Sequence, residues 1–233
     1  MIKENHPSKS QIINTNYSWK DVEKLKIESL QREQERRLSE KIKLQIDKVP
    51  LRYKNKSLAD FKVMFSEQST VKTLMDGYIQ TFSERKKESA NVIFIGKPGT
   101  GKTLLSLIIY QELAIRGYNV KYESSLQFLK VMQERRFESS GAYQSIMNTY
   151  CDVDFLVLDE VSESVTKDGC PSEWERKLLF DLINARYEKG NRCTLIISNR
   201  DKSELTRRIG AQSIDRLFER GLILAFNWDS FRK

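Results

Sequence analysis

Val92-Ile-Phe-Ile-Gly-Lys-Pro-Gly-Thr-Gly-Lys-Thr-Leu-Leu104 is a short apolar run that feeds a glycine loop and leaves it, through Lys-Thr, as the start of a helix. The spacing Gly96-x4-Gly101-Lys102-Thr103 is that of a P-loop, and each part has a physical task. Glycines let backbone N–H groups close around anionic oxygens, and the helix N-terminus behind them adds partial positive charge. The pattern therefore predicts that Gly96, Lys97, Pro98, Gly99, Thr100, Gly101, Lys102, Thr103 and Leu104 surround the phosphates of a nucleotide. Lys102 would hold the β- and γ-phosphates, and the Thr103 hydroxyl would enter the shell of a Mg²⁺ ion. Leu104, Leu105, Leu107, Ile108, Ile109 and Leu113 give the following helix the apolar content it needs to lie on a sheet.

Beyond the loop the chain alternates short apolar runs with helical patterns, which predicts a parallel sheet covered on both faces. Strands are expected at Val92–Ile95, Val120–Glu123, Phe155–Leu158, Thr194–Ile197 and Leu222–Phe226. Ser172-Glu-Trp-Glu175 reads as a capping box that opens a helix carrying Leu178, Leu179, Leu182 and Ile183. A second helical pattern spans 71–87.

Ligands of an open parallel sheet bind beyond the carboxyl ends of its strands, so the residues just after each strand are the candidates for chemistry. Phe155-Leu-Val-Leu158 runs into Asp159-Glu160, the arrangement of a Walker B segment. Asp159 would hold Mg²⁺, and Glu160 would polarise the water that attacks the γ-phosphate. The next strand ends at Asn199, a neutral amide that can donate to the γ-phosphate or to that water. Asp215-Arg216 lies on the helix before the last strand. If subunits assemble side by side, Arg216 could reach a neighbour's site and offset charge developing on the γ-phosphate, with Arg207, Arg208 and Arg220 as competitors for that role.

The composition sets outer bounds. The 233 residues carry 39% hydrophobic content and a formal charge of +8, a balance that favours an acidic partner such as nucleic acid. Cys151, Cys170, Cys193 and His6 have no metal-ligand or disulfide spacing. No apolar stretch approaches a membrane span, and Met1-Ile-Lys-Glu-Asn has no signal-peptide core, so a cytoplasmic protein with no membrane partner is expected. Residues 18–49 read as a long charged helix. Trp19, Val22 and Leu25, then Leu38, Ile42, Ile46 and Val49, sit at three- and four-residue steps, separated by the wholly polar Gln31–Arg37. Such a helix projects, pairs with another helix or docks its two ends on a partner. Pro50 ends it.

Taken together, these residues resemble the AAA+ ATPases and, within them, the DnaC-type replicative helicase loaders. The likeness rests on Val49-Pro-Leu-Arg-Tyr53 with Ser57-Leu58, Gly96–Thr103, Leu156-Val-Leu-Asp-Glu160, Ile197-Ser-Asn199, Ile214-Asp-Arg216 and the closing Phe226-Asn-Trp-Asp-Ser-Phe-Arg232. That last string is the most specific. The resemblance implies an α/β fold: a P-loop AAA+ type domain with a five-stranded parallel sheet, preceded by a helical arm. The expected domains are an arm over 1–49, a linker over 50–70 and the ATPase domain over 71–233.

The resemblance also implies ATP and Mg²⁺ as cofactors, ATP hydrolysis, and self-assembly through the ATPase domain. It implies a DnaB-type replicative helicase held through the arm and delivered onto single-stranded DNA. Arg216 matches the family's trans-acting arginine and Arg232 the arginine that contacts nucleotide from the C-terminal end. Phe137 matches an aromatic associated with single-stranded DNA, where it can stack on a base while Arg135 and Arg136 meet phosphates. Two rivals share the P-loop: an IstB-kind transposition helper acting on duplex DNA, and a small-molecule kinase. A nucleotide-gated adaptor with negligible turnover is a third, against which Glu160 argues.

Overall fold

The protein is described from a computed structural model over residues 19–161 and 172–231. By internal contacts the chain divides into two units, Met1–Glu40 and Lys41–Lys233. Helix α1, Trp19–Ile46, begins in the first and ends in the second. In the first unit its surface is laced by ion pairs: Glu33 accepts from Arg36 (3.0 Å) and Arg37 (2.8 Å), and Arg36 also faces Glu40. Hydrogen bonds from Arg36 and then Arg37 hold the Glu33 carboxyl down to about 2. Helix-spaced pairs of this kind on an exposed face favour helix only weakly, because water screens them. Trp19, Val22, Leu25, Ile27, Leu30 and Leu38 are all exposed, Trp19 at 89%.

The second unit is built on β1 (Val92–Gly96), β2 (Val120–Ser124), β3 (Phe155–Asp159), β4 (Cys193–Ser198) and β5 (Leu222–Phe226). All four pairings are parallel, in the order β2-β3-β4-β1-β5. The P-loop strand thus lies between β4 and β5, with β3 beyond β4. The five expected strands are present, four of them a residue or two longer than expected.

Alternation along each strand separates two cores. Phe94, Phe155, Val157, Leu195, Ile197, Leu224 and Phe226 face one side, where α2 (Ser66–Gln80), α3 (Phe82–Lys87) and α4 (Lys102–Ile115) bury Val71, Met75, Phe82, Leu105 and Ile108. Ile93, Leu156, Leu158 and Ile196 face the other. There α5 (Ser125–Glu134), α6 (Ser140–Cys151), α7 (Glu173–Lys189), α8 (Lys202–Ile209) and α9 (Ala211–Phe218) pack with Phe128, Leu179, Leu182, Leu205 and Leu217.

The 71–87 pattern is two helices, not one. Thr81 Oγ1 donates back to the Gly77 carbonyl at 2.8 Å, and such back-bonding bends the backbone, so α2 ends and α3 starts afresh. The capping box at Ser172 forms as expected: Ser172 Oγ accepts from Glu175 N–H while Glu175 Oε2 accepts from Ser172 N–H. Glu175 is fully buried and also meets Arg208 at 3.0 Å.

The last turn of α1 belongs to this unit for a specific reason. Gln45 Oε1 accepts from Val120 N–H at 2.7 Å and Lys41 Nζ donates to the Gly117 carbonyl, so the helix end caps the exposed start of edge strand β2. Between α1 and α2, two 3-10 turns, Leu51–Tyr53 and Leu58–Asp60, fold the chain back so that Phe61 is 1% exposed in the core.

Candidate nucleotide-binding site

The loop after β1 needs glycine at two places for different reasons. At Gly96 the backbone has φ +131°, and a Cβ there would come 2.3 Å from the Phe226 carbonyl oxygen on the neighbouring strand. At Gly101 φ is +95°, and a Cβ would press on the Phe61 ring at 3.0 Å. Both conformations lie where side chains are strained. Gly101 caps α4 without a side-chain acceptor, so the first-turn N–H groups of this helix stay turned to the loop, as an anion site requires. Lys102, 4% exposed, lies under the loop and donates to the Gly96 and Lys97 carbonyls at 2.7 and 2.6 Å.

Strand register brings the acid to the loop. Asp159 ends β3, two strands from β1, and is 3% exposed. Its Oδ2 accepts from Thr103 Oγ1 at 2.9 Å and from Tyr122 Oη at 2.8 Å, and its Oδ1 accepts from the Glu160 amide at 2.8 Å. Three donors compensate this buried carboxylate. Burial, and then the Asp159 charge, pushes the Tyr122 phenol far above its ordinary value. Glu160 is left-handed at φ +56°, a strained position for a non-glycine residue. The turn is held from both ends: its amide donates to Asp159, and its carbonyl accepts from Ser125 Oγ at 2.8 Å. The Glu160 side chain is exposed at the mouth of the cavity.

That cavity, about 310 Å³, is lined by Pro98, Gly99, Gly101, Lys102, Thr103 and Leu104 from the loop, with Asp159, Glu160 and Asn199 from the strand ends. Tyr53, Asp60, Phe61 and Lys62 close it on one side together with Phe231. The residues fit a nucleoside triphosphate with Mg²⁺. One carboxylate beside one hydroxyl is the protein share of a magnesium shell that phosphates and waters complete. Among the described residues no group of three or more His, Cys, Asp or Glu side chains is gathered to hold a metal alone.

The C-terminal string clamps the loop. Trp228 Nε1 donates to the Thr100 carbonyl at 2.9 Å and Phe231 N–H to the Gly99 carbonyl at 2.9 Å. Motif spacing does not point to Trp228, Phe231, Phe61 or Tyr122 as site residues. Two of them sit in the quoted closing string, whereas nothing in the order of residues marks the other two.

The remaining candidates lie elsewhere. Arg216 does not line the chain's own nucleotide cavity. Its guanidinium lies over the Phe180 and Tyr187 rings of α7, 4.8 and 5.7 Å from their centroids, and it borders a hollow with Lys87, Glu219 and Arg220. Among its competitors, Arg208 is committed inside the fold, where it binds Glu175 and the Val161 carbonyl. Arg135 and Arg136 are exposed on the 3-10 turn Arg135–Phe137 that follows α5, and Arg135 meets Glu138 at 2.6 Å. The Phe137 side chain and Arg232 lie outside what is described. No helix among the described residues is long and apolar enough to cross a membrane.

Comparison with known proteins agrees with this geometry. The chain is 28% identical to the replicative helicase loader DnaC of Escherichia coli K12 over 181 residues, covering 77% of this chain and 70% of that one. It is 30% identical over 151 residues to a putative insertion sequence ATP-binding protein of Sinorhizobium fredii, covering 63% of this chain and 48% of the relative. The crystal structure of the DnaC helicase loader superposes with a TM-score of 0.65 at 20% identity, over 76% of this chain and 99% of that one. The model of the IstB-like ATP binding protein family matches residues 2–233, so this chain, with its loop, acidic strand end and parallel sheet, belongs to that family of P-loop AAA+ ATPases.

Proposed function

We propose that this protein is an ATP-dependent loader that holds the replicative DNA helicase and delivers it onto single-stranded DNA. The observation that carries the reading is the C-terminal clamp. Trp228 and Phe231, from the string most specific to the loaders, bond directly to the Thr100 and Gly99 carbonyls of the phosphate loop. The similarity to DnaC over 77% of the chain supports it.

In this reading Lys102 and the α4 N-terminus hold the phosphates, and Thr103 with Asp159 hold Mg²⁺, which offsets phosphate charge when bound. Glu160 takes a proton from the attacking water and Asn199 orients that water. Tyr53, Phe61 and Phe231 border the cavity and suit the base. Arg216, turned away from its own site, serves a neighbour's in a self-assembled array, and Arg232 joins the nucleotide. Residues 1–49 form the partner arm, 50–70 the linker and 71–233 the ATPase domain. Arg135, Arg136 and Phe137 meet single-stranded DNA. Bound ATP favours the assembled, DNA-gripping state and hydrolysis releases the helicase, because only the γ-phosphate makes the contacts that distinguish the two.

The test is co-purification with the replicative helicase, comparing the full chain with one lacking residues 1–40. Cutting at Glu40 spares Gln45 and Lys41, which cap β2. Capture by the full chain and loss on truncation is the expected result, and no capture by either would overturn the reading. The insertion-sequence relative motivates a second reading, a transposition helper on duplex DNA. Capture of a transposase in place of the helicase, with preference for double-stranded DNA, would favour it.

A further inference from the structure

We propose that Tyr122 is a positioning residue for the metal-facing carboxylate, holding Asp159 Oδ2 in the orientation that a magnesium-bound water must meet. The inference rests on the nucleotide and magnesium reading above.

The argument begins with the softness of an aspartate. Its terminal torsion joins an sp³ to an sp² carbon and has a broad, roughly two-fold profile, so the carboxylate plane is set by whatever bonds to it. Asp159 is held at two oxygens. The Glu160 amide fixes Oδ1 at 2.8 Å, and Oδ2 receives the Thr103 and Tyr122 hydroxyls at 2.9 and 2.8 Å.

These three donors are not equivalent. Thr103 lies in the first turn of α4, lines the nucleotide cavity and is itself proposed for the metal, so its bond to Oδ2 is exchangeable. The Glu160 amide moves with Asp159, its sequence neighbour. Tyr122 comes from another strand. On β2 it stands two residues before Ser124, which pairs with Asp159, so its Cα lies about 6.6 Å back along the strand direction. A tyrosine leaning forward spans that gap, and its ring packs against the core on the α4 side. Tyr122 does not line the cavity, so it reaches Asp159 from the protein side and leaves the metal side of the carboxylate open. Its hydroxyl donates to Oδ2 at 2.8 Å, the only role a phenol O–H can take toward a carboxylate oxygen. Partners that orient a metal's ligand in this way typically change metal affinity about tenfold or more when removed.

The test uses Tyr122→Phe in the full chain, which deletes one oxygen and keeps the ring. Uptake of a fluorescent ATP analogue is titrated at a series of Mg²⁺ concentrations and in EDTA, and thermal unfolding is recorded alongside. The Mg²⁺ concentration for half-maximal uptake should rise about tenfold, with affinity in EDTA and Tm close to wild type. An unchanged Mg²⁺ midpoint would overturn the proposal. So would an equal loss with and without Mg²⁺, because that is the mark of a purely structural tyrosine. A wild-type protein that takes up nucleotide without any Mg²⁺ dependence would remove the parent reading, and this one with it.

Discussion

The indole N–H of Trp228 donates to the carbonyl oxygen of Thr100 at 2.9 Å, joining the segment after the last strand to the middle of the phosphate loop. Trp228 is 8% exposed and packs at a tilt against Phe226, whose own ring lies against Phe94 of the loop strand. The clamp therefore has an apolar base and a polar tip, which is how a buried tryptophan is best used. Trp228→Phe should keep the base and lose the tip. The expected result is a loss of about 1 kcal/mol of stability or somewhat more, read by urea unfolding, because the buried Thr100 carbonyl loses its donor, together with a weaker nucleotide Kd. Trp228→Ala should cost about 3 kcal/mol of stability, read by urea unfolding.

In the proposed reading Lys102 serves nucleotide binding and Glu160 serves turnover, so variants at the two positions should part the two. Lys102→Ala should abolish saturable ATP uptake while circular dichroism stays native, because the side chain supports the loop without filling the core. Glu160→Gln should retain ATP uptake and drop single-turnover hydrolysis by about 10²-fold or more, the usual contribution of a positioned base.

Arg216 faces Phe180 and Tyr187 and is absent from the cavity its own chain forms. Arg216→Ala should bind ATP normally and lose DNA-stimulated hydrolysis by about 10³-fold or more. Mixing this variant with Glu160→Gln should restore part of the activity, since one kind of interface then combines an intact Glu160 with an intact Arg216. No recovery on mixing would rule out action between subunits.

Glu175 and Arg208 form a buried pair, 0% and 4% exposed at the side chains, that ties the start of α7 to α8 and to the Val161 carbonyl just past the acidic strand end. Removing one partner strands the other's charge. Arg208→Ala should destabilise the fold by about 3–5 kcal/mol in urea, and a joint Arg208→Met, Glu175→Leu replacement should recover much of the loss.

Cys193 sits in the central sheet with its thiol donating to the Arg85 carbonyl, and burial pushes the thiol up to about 11 from 9.0. The folded state thus holds the proton more tightly than the unfolded chain. Its contribution to stability is complete below about pH 9 and is lost as pH rises through about 11. Urea unfolding at pH 8, 9.5 and 10.5 should show a fall that is shallower in Cys193→Ala by on the order of 2 kcal/mol. Neither Cys193 nor the buried Cys151 should react with a thiol reagent in the native state at pH 8.

The strand–loop–helix at Val92–Leu104 and the acidic pair after Phe155–Leu158 were legible because their chemistry depends on neighbours along the chain. Glycine spacing sets a phosphate loop, and an apolar run followed by Asp-Glu sets a strand end. The five strands could be read for the same reason, since each needs only a short apolar run. The break at Thr81 escaped because a threonine's back-bond competes with helix without altering the apolar period. Tyr122, Phe61 and Trp228 belong to another class. Their roles arise from parallel register and from crossovers that bring β2 beside β3, the turn before α2 under Gly101, and the chain after β5 over Thr100. Contacts between residues 37 to 128 positions apart carry no local periodicity, so they exist only once burial of the two faces of the sheet has fixed which strands are adjacent.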